Sequence, residues 1–279
     1  MKRYGIRSMT VGLFTVAASL LMAAPSQAAP TPHFTAKIYD LKDHTKLMFD
    51  YKSDVEVVGD TTTFVNTVFD LNGETLVIEK TVMKDDGETL VSFEQDQKQL
   101  KTQGKVELRD GKAEFTFTRD GKTKTDDEKA GADFIVTATL VAYVQGHWDA
   151  VIKGDTVKAR LAVLDRMETV GFQFRKDSER QVDGVPVVIL KMKPSSLVIS
   201  ALVDPLFFTF TADGKQLMDL SGRANVKVLV DGKLKDFDGY TVYTYPSAAP
   251  AAVAAPEAVP TGEPVKPAKS SKKKSVKKK

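Results

Sequence analysis

From residue 62 onward, apolar and polar side chains alternate along the chain. In residues 62–71, Phe64, Asn66, Val68 and Asp70 fall on one side and Val65, Thr67 and Phe69 on the other. The same two-residue period, in runs rich in Thr, Val and Phe, continues through 74–84, 88–95, 105–109, 113–119, 156–164 and 168–175. It resumes in 186–192, 206–211, 216–220, 225–230 and 240–245. A period of two sets every second side chain on the same sheet face, so each run predicts a strand with one face buried. Eight pairs punctuate the runs: Asn72-Gly73, Asp86-Gly87, Asp110-Gly111, Asp120-Gly121, Asp183-Gly184, Asp213-Gly214, Asp231-Gly232 and Asp238-Gly239. Such pairs accept the positive φ angles of a tight turn and are the strongest short-range hairpin signal. Strands joined by short turns make the protein mainly β, a large curved antiparallel meander or half-barrel.

Two stretches leave this pattern. Residues 138–152 put Leu140, Val144, Trp148 and Val151 at helical spacing, and Gly154 ends the run. Residues 195–203 predict a short helix capped by Ser195 or Ser196 and stopped by Asp204-Pro205. One or two short helices against the concave face of the sheet fit these pieces. Gly59-Asp60-Thr61 and Gly154-Asp155-Thr156 echo each other, which leaves open a duplication of two β halves.

The ends of the chain change the picture. Lys2, Arg3 and Arg7 precede an apolar run over 11–22, and Ser26-Gln27-Ala28 then offers a small-x-small cleavage site. That run is shorter than the ~20 residues a spanning helix needs, so 1–28 reads as a secretory signal cut after Ala28. The expectation is a periplasmic or secreted protein with no transmembrane segment and a β domain over 29–245. The chain has no cysteine, so packing and backbone pairing hold the fold without disulfides. The net charge of +3 hides a split: eight lysines face two glutamates after residue 245, while 29–245 is acidic. Residues 246–265 form an Ala/Pro-rich linker. Residues 266–279 carry Lys272, Lys273, Lys274, Lys277, Lys278 and Lys279 without any amphipathic period, and are expected to stay disordered until they meet an anion. Two roles remain open for this tail, a solubilising end or electrostatic attachment to an anionic envelope surface such as lipopolysaccharide or anionic phospholipid. Nucleic acid fits poorly, because stacking aromatics are missing from the tail.

Candidate chemistry is sparse. The three histidines are His33, His44 and His147, and none sits at the i, i+4 spacing of a zinc helix. His147-Trp148-Asp149 brings an imidazole, an aromatic ring and a carboxylate together, yet a helix-surface histidine beside a core tryptophan is the better account than a general base in a pocket. Ser195 and Ser196 lack a nucleophile elbow. Asp126, Asp127 and Glu128 lack the alternate spacing of a calcium loop and read as a solvated loop. No catalytic residue, metal site or cofactor is expected. What remains is apolar: Leu140, Tyr143, Val144 and Trp148, facing Leu202, Phe207 and their neighbours, form either plain core or the lining of a cleft for an acyl chain or other apolar ligand.

Over the stretch Phe134 to Gly222, Trp148 ends a helix before Gly154-Asp155, Phe172 and Phe174 share a strand, and Val187-Val188-Ile189 runs to Pro194-Ser195. Together with Asp204-Pro205-Leu206 and Ser221-Gly222-Arg223, these features resemble a group of uncharacterised secreted β-rich proteins of Gram-negative bacteria. That group is distantly similar in fold to the half-barrel carriers that sort outer-membrane lipoproteins. The resemblance covers about a third of the chain, implies a curved sheet partly plugged by helices, and brings no catalytic residues. The functional expectation is a non-enzymatic periplasmic binding or carrier module for an apolar or lipid-like ligand. The alternative is a structural or protein-interaction component of the envelope with a solid core.

Overall fold

Residues 31–87, 89–201 and 203–246 are described by the computed structural model. The expected signal, nearly all of the linker, the lysine-rich tail and Leu202 lie outside these residues. Fifteen strands form a single curved sheet. The first eight are β1 (Thr31–Asp40), β2 (Leu47–Val58), β3 (Thr61–Phe69), β4 (Thr75–Lys84), β5 (Leu90–Gln97), β6 (Thr102–Arg109), β7 (Lys112–Arg119) and β8 (Lys122–Lys129). The rest are β9 (Phe134–Ile135), β10 (Val157–Val163), β11 (Glu168–Val182), β12 (Val185–Pro194), β13 (Leu206–Thr211), β14 (Leu217–Val230) and β15 (Lys233–Thr244). Strands consecutive in the chain are neighbours in the sheet, except that β1 pairs with β15 and β8 and β9 are the two edges. All pairings are antiparallel apart from the short β9–β10 contact.

The edges cannot diverge at one end. Residues 130–133 alone join β8 to β9, a reach of about 17 Å at full extension. The backbone N–H of Thr169 on β11 donates to Glu128 Oε1 on β8 at 3.0 Å, so a side chain spans the gap that no ladder closes. The sheet is therefore curled and open.

Turn chemistry sets the register. Asp110-Gly111, Asp120-Gly121, Asp183-Gly184 and Asp231-Gly232 have positive φ at both residues, the type I′ pattern that matches strand twist. At Asn72-Gly73, Asp86-Gly87 and Asp213-Gly214 only the glycine is positive. Each of these three is followed by a register shift, beside Val68/Phe69, Val82/Met83 and Thr209/Phe210. The eighth pair is a correction. Asp238-Gly239 lies inside β15, where a Cβ on Gly239 would sit 2.8 Å from Ile38 Cγ2, so close strand packing selects that glycine.

Other differences are as informative. Asp126, Asp127 and Glu128 belong to edge strand β8, not to a loop. Almost all of β8 is exposed on both faces, so it has no apolar period to read, and its charges discourage pairing with another chain. Runs 216–220 and 225–230 are one strand, β14, interrupted by a bulge. Between the pairs Arg223↔Asp238 and Lys227↔Asp236, three residues (Ala224, Asn225 and Val226) oppose Phe237 alone. The two echoing tripeptides mark unlike features, a hairpin turn after β2 and a helix end, so the echo does not align equivalent elements.

The predicted long helix is two short ones. A 3-10 turn, Thr137–Thr139, leads into α1 (Leu140–Gly146), and α2 (Trp148–Lys153) follows after a break at His147, ending at Gly154 with φ 96°. α3 (Leu197–Ser200) is capped by Ser196, whose Oγ accepts from the Ile199 N–H at 3.5 Å. Leu197 and Val198 are exposed and do not face α1. Among the described residues no helix is long and apolar enough to cross a membrane.

Three buried clusters fill the curl. One joins α1 and α2 to β10–β14 through Leu140, Val144, Val151, Phe174 and Phe210. A second packs Phe93, Val106 and Phe115 against Val136, Ala162 and Leu164. The third sets the bulge residue Val226, with Phe237, against Phe49, Val68 and Val77. The β14 bulge thus packs into the curl against β2–β4.

Candidate functional site

Between these clusters lies a cavity of about 380 Å³, roofed by the 3-10 turn and α1 and walled by β1–β4 and β15. Its size falls within the ~300–1,000 Å³ of small-molecule sites. The wall is built by register. One rung crosses five strands as Phe34, Ser53, Asn66, Glu79 and Gln95. The rungs on either side are mostly apolar, with Phe64, Thr81, Phe93 and Val106 on one and Tyr51, Val68 and Val77 on the other. A polar stripe thus runs across an inward face that the two-residue period would otherwise make apolar.

The stripe is partly satisfied. Glu79, 3 % exposed, accepts from Gln95 Nε2 at 2.9 Å, Asn225 Nδ2 at 2.9 Å and Thr137 Oγ1 at 3.4 Å. Burial nevertheless pushes its carboxyl above the ordinary range. Asn225 comes from the β14 bulge, and its carbonyl oxygen accepts from Gln97 Nε2 at 2.7 Å, so Glu79 and Gln97 hold the bulge against β4 and β5. Nearer the cavity the accounting fails. Among the described residues five buried side-chain oxygens have no hydrogen-bond partner: Ser53 Oγ, Asn66 Oδ1 and Thr81 Oγ1 belong to residues that line the cavity, while Asp54 Oδ1 and Gln97 Oε1 do not. Buried polar atoms are paired as a rule, so three such atoms on adjacent strands set this wall apart from ordinary core.

Aromatic rings form the mouth. The Phe34 ring centroid lies 5.4 Å from Tyr51, 5.3 Å from Tyr243 and 6.1 Å from Tyr245, in edge-to-face and tilted arrangements. His33 sits 5.5 Å from both Phe34 and Phe64, and partial burial lowers its pKa, which keeps the ring neutral at neutral pH. Burial raises the phenols of Tyr51 and Tyr243, so they stay protonated. The roof is pinned by Gln145, whose Nε2 donates to the carbonyls of Gly214 and Lys215 at 2.9 Å each.

The expected lining residues stand elsewhere. Leu140 and Val144 occupy the other side of α1, buried in the cluster against β10–β14, while Val141, Ala142 and Gln145 face the cavity. Trp148 packs on Phe210 at 5.3 Å and covers Gly214. Tyr143 donates its hydroxyl to the Lys158 carbonyl at 2.6 Å, and Phe207 lies under the Lys191 ammonium at 5.4 Å. None of these five lines the cavity, and Leu202 falls outside the described residues, as do Lys272, Lys273, Lys274, Lys277, Lys278 and Lys279. The physical reason is that a helix packed on a sheet buries its most apolar stripe in the core. The face left over a cavity is the less apolar one. The missed wall did leave a signal: Asn66 is in phase with Phe64 and Val68, and Glu79 with Val77 and Met83.

His147 joins α1 to α2 with Nδ1 2.8 Å from the Tyr143 carbonyl oxygen, and its ring lies 4.4 Å from that of Tyr143. Among the described residues no group of three or more histidine and carboxylate side chains converges to hold a metal.

No family model matches the chain, and no curated protein matches it. Among solved structures it is similar to a β-barrel-like protein of a domain of unknown function, DUF1849, from Brucella abortus. That match has 15% identity and a TM-score of 0.44, and covers 77% of this chain and 96% of that one. A DUF1329 family protein from Desulfovibrio piger matches at 9% identity and a TM-score of 0.24, covering 77% of this chain and 82% of its own. A porin-like protein from Bacteroides uniformis matches at 10% identity and a TM-score of 0.21, covering 78% and 99%. None of the three is described as a lipoprotein-sorting carrier.

Proposed function

We propose that the protein is a non-enzymatic binding or carrier module of the cell envelope, whose small ligand sits beneath α1 with its apolar part on the Phe34 cluster. The observation that carries this reading is the trio of partnerless polar atoms, Ser53 Oγ, Asn66 Oδ1 and Thr81 Oγ1, at the wall of a cavity of about 380 Å³. Each such atom left unpaired costs about 1–3 kcal/mol, and three gathered at one cavity favour a bound partner over a solid interior. The expected signal peptide places the module outside the cytoplasm. In the same proposal the six lysines from Lys272 to Lys279 hold it near an anionic surface.

The test separates cavity from core. Ala142 is exposed on α1 and lines the cavity mouth, so Ala142→Trp blocks entry without touching a buried contact. Native mass spectrometry of wild-type protein purified from its own cells is expected to retain a small-molecule adduct, and A142W to lack it. Its stability should lie within about 0.5 kcal/mol of wild type. Adduct-free wild-type protein that binds no apolar fluorophore contradicts the proposal.

A further inference from the structure

Among the described residues, the cavity offers no unengaged partner for a charge of either sign. Among its described lining residues there is no carboxylate and one ammonium, that of Lys215. Lys215 stands at the rim, 81 % exposed, and pairs with Asp213 at 3.3 Å. Glu79 lies one strand beyond Asn66, but three side-chain donors already occupy it and it does not line the space. His33 is neutral by virtue of its partial burial. An ionised head group drawn into this space gives up its hydration and meets only rings, hydroxyls and an amide, a transfer that is strongly unfavourable.

The polar wall also has a sense. Ser53 and Thr81, each 1 % exposed, carry the unpartnered hydroxyl oxygens, and Asn66, 8 % exposed, carries the unpartnered amide oxygen. Hydroxyls both donate and accept, whereas the amide oxygen only accepts, so the trio is satisfied by a group that brings at least one hydrogen of its own. A carboxylate brings none. Beside this wall, on the same rung and on the rung next to it, the Phe34, Tyr51 and Tyr243 rings present apolar surface, and burial keeps the two tyrosine hydroxyls protonated.

Building on the binding-module reading, we infer that the ligand is an uncharged amphiphile, with a ring or short chain on the Phe34 cluster and a hydroxyl or amide N–H group donating to the Ser53–Asn66–Thr81 wall. The cavity selects against free fatty acids and amines of the same size. A donor-bearing neutral head replaces its bonds to water with bonds to the wall, and neither partner is left unpaired.

Four probes share one ring system and differ in the head: 2-ethylnaphthalene, 2-naphthaleneethanol, 2-naphthaleneacetate and 2-(2-naphthyl)ethylamine. They are titrated into the mature wild-type protein at neutral pH by naphthalene fluorescence, with 1-octanol, octanoate and octylamine as competitors. The alcohol is expected to bind at least about tenfold tighter than the acid or the amine, the scale of one well-made hydrogen bond. Asn66→Leu and Thr81→Val remove atoms that have no protein partner, so both variants should melt at or above the wild-type temperature. In each, the alcohol should lose about tenfold while 2-ethylnaphthalene binds as before. Equal affinity for all heads, or a preference for a charged one, overturns the neutral-head inference and leaves the binding module standing. So does an alcohol affinity untouched by both variants, the result expected if the wall holds only water. Failure of every probe of both series overturns the inference and the module together.

Discussion

Glu79 shows how a single side chain can couple pH to the integrity of the fold. Its carboxyl is buried, three neutral donors reach its Oε1, and desolvation outweighs them, so its pKa in the folded state lies above the 4.5 of a free glutamate. The folded protein therefore binds a proton that the unfolded chain releases at lower pH. Stability falls as pH rises from about 4.5 through the folded pKa and is highest, as far as this group is concerned, below that window. Glu79→Gln removes the titration while keeping shape and an acceptor oxygen. In thermal melts across that range the E79Q variant should gain on the wild type with each step up in pH. A constant difference between the two would mean that the carboxylate is not desolvated in the native state.

At the scale of elements, the β14 bulge does what a regular strand cannot. Opposing three residues to one bends β14 inward and carries Asn225 and Val226 across the curl to the β4–β5 wall. Asn225→Ala deletes the Nδ2 donor to Glu79 and should cost about 1–3 kcal/mol in chemical denaturation, since it leaves a buried carboxyl under-satisfied. Two residues on, Lys227 pairs with Asp236 on the exposed side of the same hairpin. Truncating that ammonium should cost below about 1 kcal/mol, the scale of a surface ion pair. If the two substitutions prove equal, the bulge is not the tie between the walls that its hydrogen bonds make it.

For the whole molecule, charge is divided along the chain: an acidic β domain precedes a tail in which eight lysines oppose Glu257 and Glu263. The chain divides after Tyr245, and the composition beyond it is too poor in large apolar residues to add to folding energy. Deleting residues 246–279 should leave the melting temperature unchanged. The intact mature protein should bind vesicles containing anionic phospholipid at low salt, each lysine adding on the order of 1 kcal/mol near the surface. Binding should fall steeply as salt shortens the screening length to ~8 Å, and the truncated protein should not bind at all. Equal binding by both forms would leave the tail as a solubilising end.

What the amino-acid order settled by itself was local. Alternation named most strands between residues 62 and 245, because side-chain direction in a strand depends only on parity, and seven of the eight Asx-Gly pairs are turns because φ > 0 is a property of the residue. β8 stayed hidden because an edge strand solvated on both faces has no apolar period, and Asp238-Gly239 misled because a glycine needed for close packing looks like one needed for a turn. The site was legible only as an anomaly, polar Asn66 and Glu79 in phase with buried neighbours. That Ser53, Asn66 and Glu79 share a rung, that a bulge residue reaches them from a strand 146 residues away, and that α1 turns Val141 and Ala142 to the cavity and not Leu140 and Val144, were decided by the tertiary structure. Register across non-local strands and the choice of which helix face meets the core depend on how the whole sheet curls, and no local pattern contains that information.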